Sequence, residues 1–204
     1  MVAFSLSEPL LALRTVLAAG PLRRLLLAYL VFNTAEWAVW VAVLVFAYEY
    51  GGTTATALAA VAQLLPAAII APLAASFGDR APRERLLSWT YLLQAAMMAV
   101  TVPLFMLDAS LPLILVGAAL VSVSISLSRP VYLAALPAFA GNTAQLTAAN
   151  SVSTMAESLA LLVGPAIAAA VTALAGTWQV FGLFAIGQLL AALLVRRRTH
   201  ARPG

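Results

Sequence analysis

The sequence has no cysteine and little charge. The absence of cysteine excludes disulfide bonds, thiolate metal sites and a cysteine nucleophile. Charged residues make up 9% of the 204 residues, whereas hydrophobic residues make up 64%. A soluble domain of this length cannot cover its surface with so few charges. The composition therefore predicts an integral membrane protein.

The groups that an intramembrane enzyme needs are also scarce. Six-helix intramembrane proteases use a serine–histidine pair or paired aspartates inside their spans. The chain has one histidine, His200 near its end, and two aspartates, Asp79 and Asp108, both in connectors between apolar runs. We therefore expect no enzyme, no metal site and no cofactor.

Six long apolar runs organise the chain. A helix needs about 20 apolar residues to cross the hydrocarbon core. The runs that approach or exceed this length are 25–47, 55–77, 86–107, 111–133, 146–174 and 178–195. We predict an amphipathic cytoplasmic segment at 1–22, a six-span transmembrane domain at 23–195, and a basic cytoplasmic tail at 196–204, the start of a central loop. The predicted fold class is an all-α membrane protein.

The arginines lie on one side of this topology. With both termini on the same side, ten of the eleven arginines fall in segments of that side, whereas the opposite loops carry only the acids Glu49 and Asp108. Positive charge is retained in the cytoplasm, so we expect both termini there, in a multi-pass protein of the cell membrane. The net charge of +4 is then a topology signal, and no nucleic-acid partner is expected. The ten residues are Arg14, Arg23, Arg24, Arg80, Arg83, Arg85, Arg196, Arg197, Arg198 and Arg202.

Three charged residues fall inside predicted spans: Glu36, Arg129 and Glu157. Each costs about 2.5–3.5 kcal/mol at the centre of a span, so each should face protein or water. Arg129 and Glu157 lie on the same side of their span midpoints, offset by about 10 Å and about 5 Å. Because either charge alone is expensive to bury, we hypothesise that the two form an ion pair.

Glu36 shares one helical face with Tyr29, Asn33 and Trp40. This stripe fits a packing seam, in which asparagine and glutamate hydrogen-bond to another helix. It also fits a water-filled pathway for substrate or protons. The depth of the acid favours the pathway.

The fifth span repeats the pattern. Asn150 and Glu157 share a face with Gly164 and Ala168. The small residues indicate a close helix contact, and Gly164-Pro165 should bend the helix. We place the polar half of this face, together with Arg129, in the same candidate pathway.

Two glutamines stand alone in apolar spans, Gln63 in the second and Gln94 in the third. A lone glutamine in a span more often hydrogen-bonds a neighbouring helix than binds a ligand. We expect both to join helices.

A charged loop separates the second and third runs. Residues 78–85 read Gly-Asp-Arg-Ala-Pro-Arg-Glu-Arg. Their spacing resembles the signature loop of the major facilitator superfamily, Gly-x-x-x-Asp-Arg-x-Gly-Arg-Arg/Lys-Arg/Lys. The matching residues are Asp79, Arg80, Arg83 and Arg85, and the chain departs from the pattern at Ala75, Pro82 and Glu84.

Two further features extend the resemblance. Gly164-Pro165 resembles a signature that the family's antiporters carry in the fifth helix. The stretch from Arg129 to Asn150 is similar to the branch that exports drugs, macrolides or siderophores. The resemblance implies half of a twelve-helix fold, built as two inverted three-helix repeats. It also implies a partner, either a missing second six-helix half or a second copy of the chain.

The resemblance gives the loop a gating role. Asp79 would accept hydrogen bonds from the start of a helix in the other half, and Arg80 and Arg83 would pair with acids. These contacts would hold the cytoplasmic side shut until the transporter opens inward. Alternatively, the arginines of the loop only anchor the topology.

The implied function is secondary transport, with proton-coupled efflux of a hydrophobic or amphipathic small molecule by alternating access. Glu36 and Glu157 are the candidate proton or cation sites. The expected partners are membrane lipids and the small-molecule substrate. The alternatives are a non-transporting membrane sensor or scaffold of the same fold and an inactive truncated fragment.

Overall fold

The computed structural model describes residues 7–75 and 82–196, and the side chains of residues 10–70 and 82–196. All regular structure in these residues is helical, as the sequence predicts. The helices are α1 (Ser7–Ala18), α2 (Gly20–Ala75), α3 (Arg83–Met106), α4 (Leu111–Phe139), α5 (Thr143–Ala175) and α6 (Thr177–Arg196). Five of them, α2 to α6, are long and apolar enough to cross a membrane.

Helix α2 contains two arms that fold back on each other at a glycine pair. Gly51 and Gly52 have backbone angles outside the helical region, and Gly52 has φ +64° and ψ −151°, a conformation that costs other residues strain. We call residues 20–50 the first arm and residues 53–75 the second arm. Glu36 and Gln63 line one cavity, whereas a straight helix would hold them about 40 Å apart. The arms therefore lie side by side, and they contain the predicted runs 25–47 and most of 55–77.

The later helices lie close to the predicted runs. Helices α3, α5 and α6 begin and end within three residues of those runs. Helix α4 differs, because it continues to Phe139 through Pro130 and Pro137, past the predicted end of its run at residue 133. Asn142 caps the next helix, since its side chain accepts a hydrogen bond of 2.8 Å from the backbone N–H of Gln145.

The first arm of α2 lies at the centre of the packing. Helix α2 contacts α4, α5 and α6, and α3 packs against α4 and α6. The short α1, within the predicted segment 1–22, packs on α2 and α5. The inverted three-helix repeats and the cytoplasmic position of the termini stay predictions.

Two contacts fix how α3 runs against α6. Ser88 Oγ donates a hydrogen bond of 3.2 Å to the carbonyl of Ala192, and the rings of Phe105 and Phe181 lie 4.9 Å apart. The residue numbers rise along α3 while they fall along α6. The two helices are therefore antiparallel.

Four aromatic rings, all fully buried, connect three helices. The ring of Tyr91 on α3 lies 5.8 Å from that of Phe32 on α2, which lies 5.8 Å from that of Tyr29. Tyr29 stacks on Tyr132 of α4 with ring centroids 3.6 Å apart and an interplanar angle of 6°. This aromatic column forms the centre of the core.

Gly164 lets α5 approach the first arm closely. A Cβ atom at this position would lie 2.8 Å from the backbone oxygen of Thr34 and 2.8 Å from the Cβ of Trp37. Real Cβ atoms essentially never come so close. The small-residue contact expected at Gly164 is thus made with the first arm of α2, and Ala168 on the same face is also buried.

Candidate functional site

Arg129 lies at the centre of a charge cluster built from three helices. Its Nη2 atom lies 3.0 Å from Oε2 of Glu36 on the first arm of α2. Its Nη1 atom lies 3.4 Å from Oε1 of Glu157 on α5. The hypothesised contact between Arg129 and Glu157 is present. The contact with Glu36 was not predicted, although it is the shorter of the two.

Asn33 holds the guanidinium from the same side as Glu36. Its Oδ1 atom accepts a hydrogen bond of 3.1 Å from Nη2 of Arg129. Its Nδ2 atom donates to the backbone carbonyl of Tyr29 at 2.8 Å, which orients the amide. Asn33 and Glu36 are about one helical turn apart, so both reach the same nitrogen from one face. Part of the predicted stripe therefore forms a seam between α2 and α4.

Two stacked tyrosines hold α5 against the cluster. The hydroxyl of Tyr29 donates to Oε1 of Glu157, the oxygen that Arg129 also contacts. The hydroxyl of Tyr132 lies 2.6 Å from Oγ of Ser153, one turn before Glu157. Sequence reasoning placed Tyr29 on the stripe but missed Tyr132 and Ser153. The available signal was spacing, since Tyr132 follows Arg129 by three residues and Ser153 precedes Glu157 by four.

The cluster carries unequal charge and reaches a surface of the helix bundle. It combines one guanidinium with two carboxylates, so its net charge is negative when both acids are ionised. The exposed fractions of the side chains are 40% for Arg129, 28% for Glu36 and 37% for Glu157. These ionisable groups therefore face an open side of the six helices instead of a closed core.

A cavity of about 120 Å³ adjoins Glu36. The first arm contributes Glu36 and Trp40, the second arm contributes Gln63, and α4 contributes Ser122 and Ser126. Aliphatic side chains complete the wall. Since one water occupies about 30 Å³ of liquid, this space suits a few waters or a small chemical group.

The two lone glutamines do not make the interhelical bonds expected of them. The Nε2 atom of Gln63 donates within its own helix, to the carbonyl of Ala59 at 3.4 Å. The amide of Gln94 is buried and has no hydrogen-bond partner among the described residues. The sequence alone could not distinguish these outcomes, because an amide in an apolar helix can also bond to its own backbone or to water.

Not every predicted site residue joins the cluster. Trp40 lines the cavity, and its ring packs edge-on against Trp37 with centroids 6.0 Å apart. Asn150 is exposed and lies two turns before Glu157, about 10 Å along α5. The polar face of the fifth span thus extends beyond the charges.

The predicted gating loop is only partly described. Asp79 and Arg80 lie outside the described residues, as does the side chain of Ala75. Arg83 begins α3, and its Nη1 atom donates to the backbone carbonyl of Ala134 on α4 at 2.8 Å. A bond to a carbonyl was not predicted for Arg83. It ties the end of the loop to α4, the helix that carries Arg129.

Comparison with known proteins places the chain in a family. The family model described as Major Facilitator Superfamily matches residues 25–204, which include the charge cluster and the predicted gating loop. No curated protein and no solved structure matches the chain. The matched range covers most of the chain and agrees with the long apolar helices. The chain therefore belongs to the Major Facilitator Superfamily, a family of multi-pass secondary transporters.

Proposed function

We propose that this chain is one six-helix half of a proton-coupled exporter of hydrophobic or amphipathic small molecules. The observation that carries the proposal is the sharing of Arg129 between Glu36 and Glu157. Two carboxylates compete for one guanidinium within apolar helices. An uncompensated charge in such a place is costly, so one proton or monovalent cation is expected to neutralise the surplus acid.

Protonation of one acid would redistribute the contacts of Arg129. Glu36 holds Arg129 to α2, whereas Glu157 holds it to α5. A neutral carboxyl attracts the guanidinium less than a carboxylate does, so the proton weakens one of the two helix contacts. Because α2 and α5 pack closely at Gly164, a change in their relative position can favour one state of an alternating-access cycle. Proton binding and helix movement are then linked.

The cavity beside Glu36 fits a small group of an amphipathic substrate. Its wall combines aliphatic side chains and the indole of Trp40 with polar groups, which belong to Glu36, Gln63, Ser122 and Ser126. Ligand sites commonly combine a largely apolar lining with a few polar groups. Substrate and proton would meet at Glu36, which belongs to both the cavity and the charge cluster.

The proposal that this half has a partner rests on an exposed polar face of α5. Asn150, Ser151, Thr154 and Ser158 are all exposed, and they lie within about 100° of arc on the helix. A span that faced only lipid would not need this face. We propose that it packs against a second six-helix unit, either another half or a second copy. We also propose that Asp79 and Arg80 contact that second unit and hold the cytoplasmic side shut.

Transport in membrane vesicles tests the function. Vesicles from cells that produce the chain are loaded with the lipophilic dye ethidium, and its movement is followed by fluorescence after a pH gradient is imposed. Where a second copy of the chain supplies the other half, the wild-type chain should move dye, and a protonophore that collapses the gradient should stop it. Glu36→Gln should abolish the movement, whereas Glu49→Gln, at the exposed turn between the arms, should retain it.

Two results would reject the proposal. Dye movement that persists without the gradient, or in Glu36→Gln, would show that dye transport is not coupled to protons through Glu36. The absence of dye movement from a chain that cross-links to a second copy would favour the scaffold alternative.

A further inference from the structure

Helix α1 has two different faces. One face packs on α2 and α5 and includes Val16, which is 2% exposed, and Leu13, which packs against the core. The other face carries three leucines: Leu10 and Leu11 are 60% exposed, and Leu17 is 47% exposed. These three leucines lie within about 120° of arc, and we call them the leucine face of α1. Apolar side chains in this position are unfavourable in water, so the leucine face needs a covering.

Two arginines accompany the leucine face. Arg14 is exposed and lies in the middle of this face, within about one helical turn of each leucine. Arg23 is also exposed, and its Nη1 atom donates to the backbone carbonyl of Leu17 at 3.5 Å, at the end of α1. Neither arginine forms an ion pair with the described residues. The face therefore combines apolar side chains with two positive charges.

Helix α1 lies at the end of the bundle where the first arm of α2 begins. Tyr29 of this arm stacks on Tyr132 of α4. Glu36, further along the arm, contacts Arg129, which comes earlier in α4. The arm and α4 are therefore antiparallel, and α4 ends where the arm begins. Arg83 hydrogen-bonds to α4 two residues after Tyr132, so it lies at the same end as α1, and arginines collect there.

We propose that α1 lies in the interfacial layer of the membrane, where Arg14 and Arg23 bind the headgroup of an anionic phospholipid. The leucine face enters the acyl region, as in other helices that lie on a membrane, while the long arginine side chains reach the phosphate. A second copy of the chain in the same orientation fits this face less well, because it would bring two arginine-rich ends together. Like charges repel each other, whereas anionic headgroups attract arginine. The proposal is independent of the transport function.

Fluorescence quenching by brominated lipids tests this position. The chain has no cysteine, so Leu11→Cys can carry a single bimane fluorophore in the full chain, reconstituted into lipid nanodiscs. The nanodiscs contain equal amounts of phosphatidylglycerol, which is anionic, and phosphatidylcholine, and the acyl chains of one or the other are brominated. Bromine quenches only a nearby fluorophore. Brominated phosphatidylglycerol should quench at least about fivefold more than brominated phosphatidylcholine, the contribution of one arginine near an anionic surface.

Three further variants serve as comparisons. Ile186→Cys, 61% exposed at the middle of α6, should be quenched equally by the two lipids. In the Leu11→Cys chain, Arg14→Gln should lower the preference for phosphatidylglycerol about fivefold. Arg85→Gln, at an exposed position on α3, should leave the preference unchanged.

Three results would contradict the proposal. Equal quenching of the Leu11→Cys label by the two lipids would overturn the headgroup assignment. Quenching by neither lipid would overturn the position in the membrane, as expected if another protein covers the leucine face. An equal loss of preference in Arg14→Gln and Arg85→Gln would contradict the role of Arg14. The comparison of Leu11→Cys with Ile186→Cys decides the proposal even where an arginine variant fails to fold.

Discussion

Replacing Arg129 by methionine should destabilise the protein through the two acids that it leaves behind. Methionine is long, flexible and apolar, so it fills much of the space of the arginine without its charge. Glu36 and Glu157 then lose the guanidinium that contacts both of them. The loss of stability should therefore come from the unpaired carboxylates, with little contribution from an empty cavity.

The size of the effect follows from the partial burial of the cluster. Removing one partner of a buried ion pair costs about 3–5 kcal/mol. The three side chains are 28% to 40% exposed, so the lower end applies, about 3 kcal/mol. In a protein of this size each kcal/mol shifts the melting temperature by about 2–4 °C. Arg129→Met should thus melt about 6–12 °C below the wild type.

Thermal unfolding in detergent, followed by tryptophan fluorescence, measures this shift. The matched comparison is the triple variant in which Arg129→Met is combined with Glu36→Gln and Glu157→Gln, since it removes the uncompensated charges. It should recover a large part of the lost stability, and either glutamine substitution alone should recover less. Arg24→Ala, at an exposed position outside the cluster, should melt like the wild type.

The prediction fails if Arg129→Met melts like the wild type, because the cluster would then contribute no net stability. It also fails if the triple variant is no more stable than Arg129→Met. In that case the loss would come from packing and not from unpaired carboxylates.

Three further substitutions have distinct expected effects on the same melting curve. Gly164→Ala should destabilise the protein by about 1–3 kcal/mol through overpacking against the first arm. Gly182→Ala is the control and should be neutral, because there is open space around Gly182. If the two variants melted at the same temperature, the close contact at Gly164 would be contradicted. Gly52→Ala should lower the stability by about 1–3 kcal/mol through backbone strain alone, because no atom lies close to the added methyl group. Gly20→Ala is the control, since the surroundings of Gly20 are equally open. Tyr29→Phe should lose about 1.5–3 kcal/mol, the contribution of a hydrogen bond to a charged group; an unchanged melting temperature would show that this hydroxyl does not hold α5.

The helices and their approximate ends could be predicted because they depend on local sequence. Apolar runs long enough to span the bilayer define five of the six helices, and the glycine pair at Gly51 and Gly52 marks the turn between the arms of α2. Helix α4 exceeded its predicted end at residue 133 because Pro137 is accommodated inside it, as Pro130 is within the predicted run. Proline often ends a helix in sequence reasoning, but packed neighbours can satisfy the backbone that it leaves free.

The charge cluster was predictable in its members and only partly in its contacts. Similar depth and opposite charge were enough to pair Arg129 with Glu157. The approach of Glu36 to Arg129 depends on how the first arm of α2 packs against α4, which no spacing along the chain encodes. The stacking of Tyr29 on Tyr132 could not be predicted for the same reason, because it requires the three-dimensional arrangement of two helices distant in sequence.

Counting the protons that the cluster exchanges tests directly whether Glu36 and Glu157 form a proton site. Ethidium is added to the purified wild-type chain in weakly buffered detergent solution near neutral pH, and the proton release is measured with a pH electrode. We expect a measurable proton release, approaching one proton per chain, since the cluster has one surplus carboxylate. The double variant with Glu36→Gln and Glu157→Gln should release none. Equal release by both proteins, or dye binding by the wild type with no release, would contradict a proton site at Glu36 and Glu157.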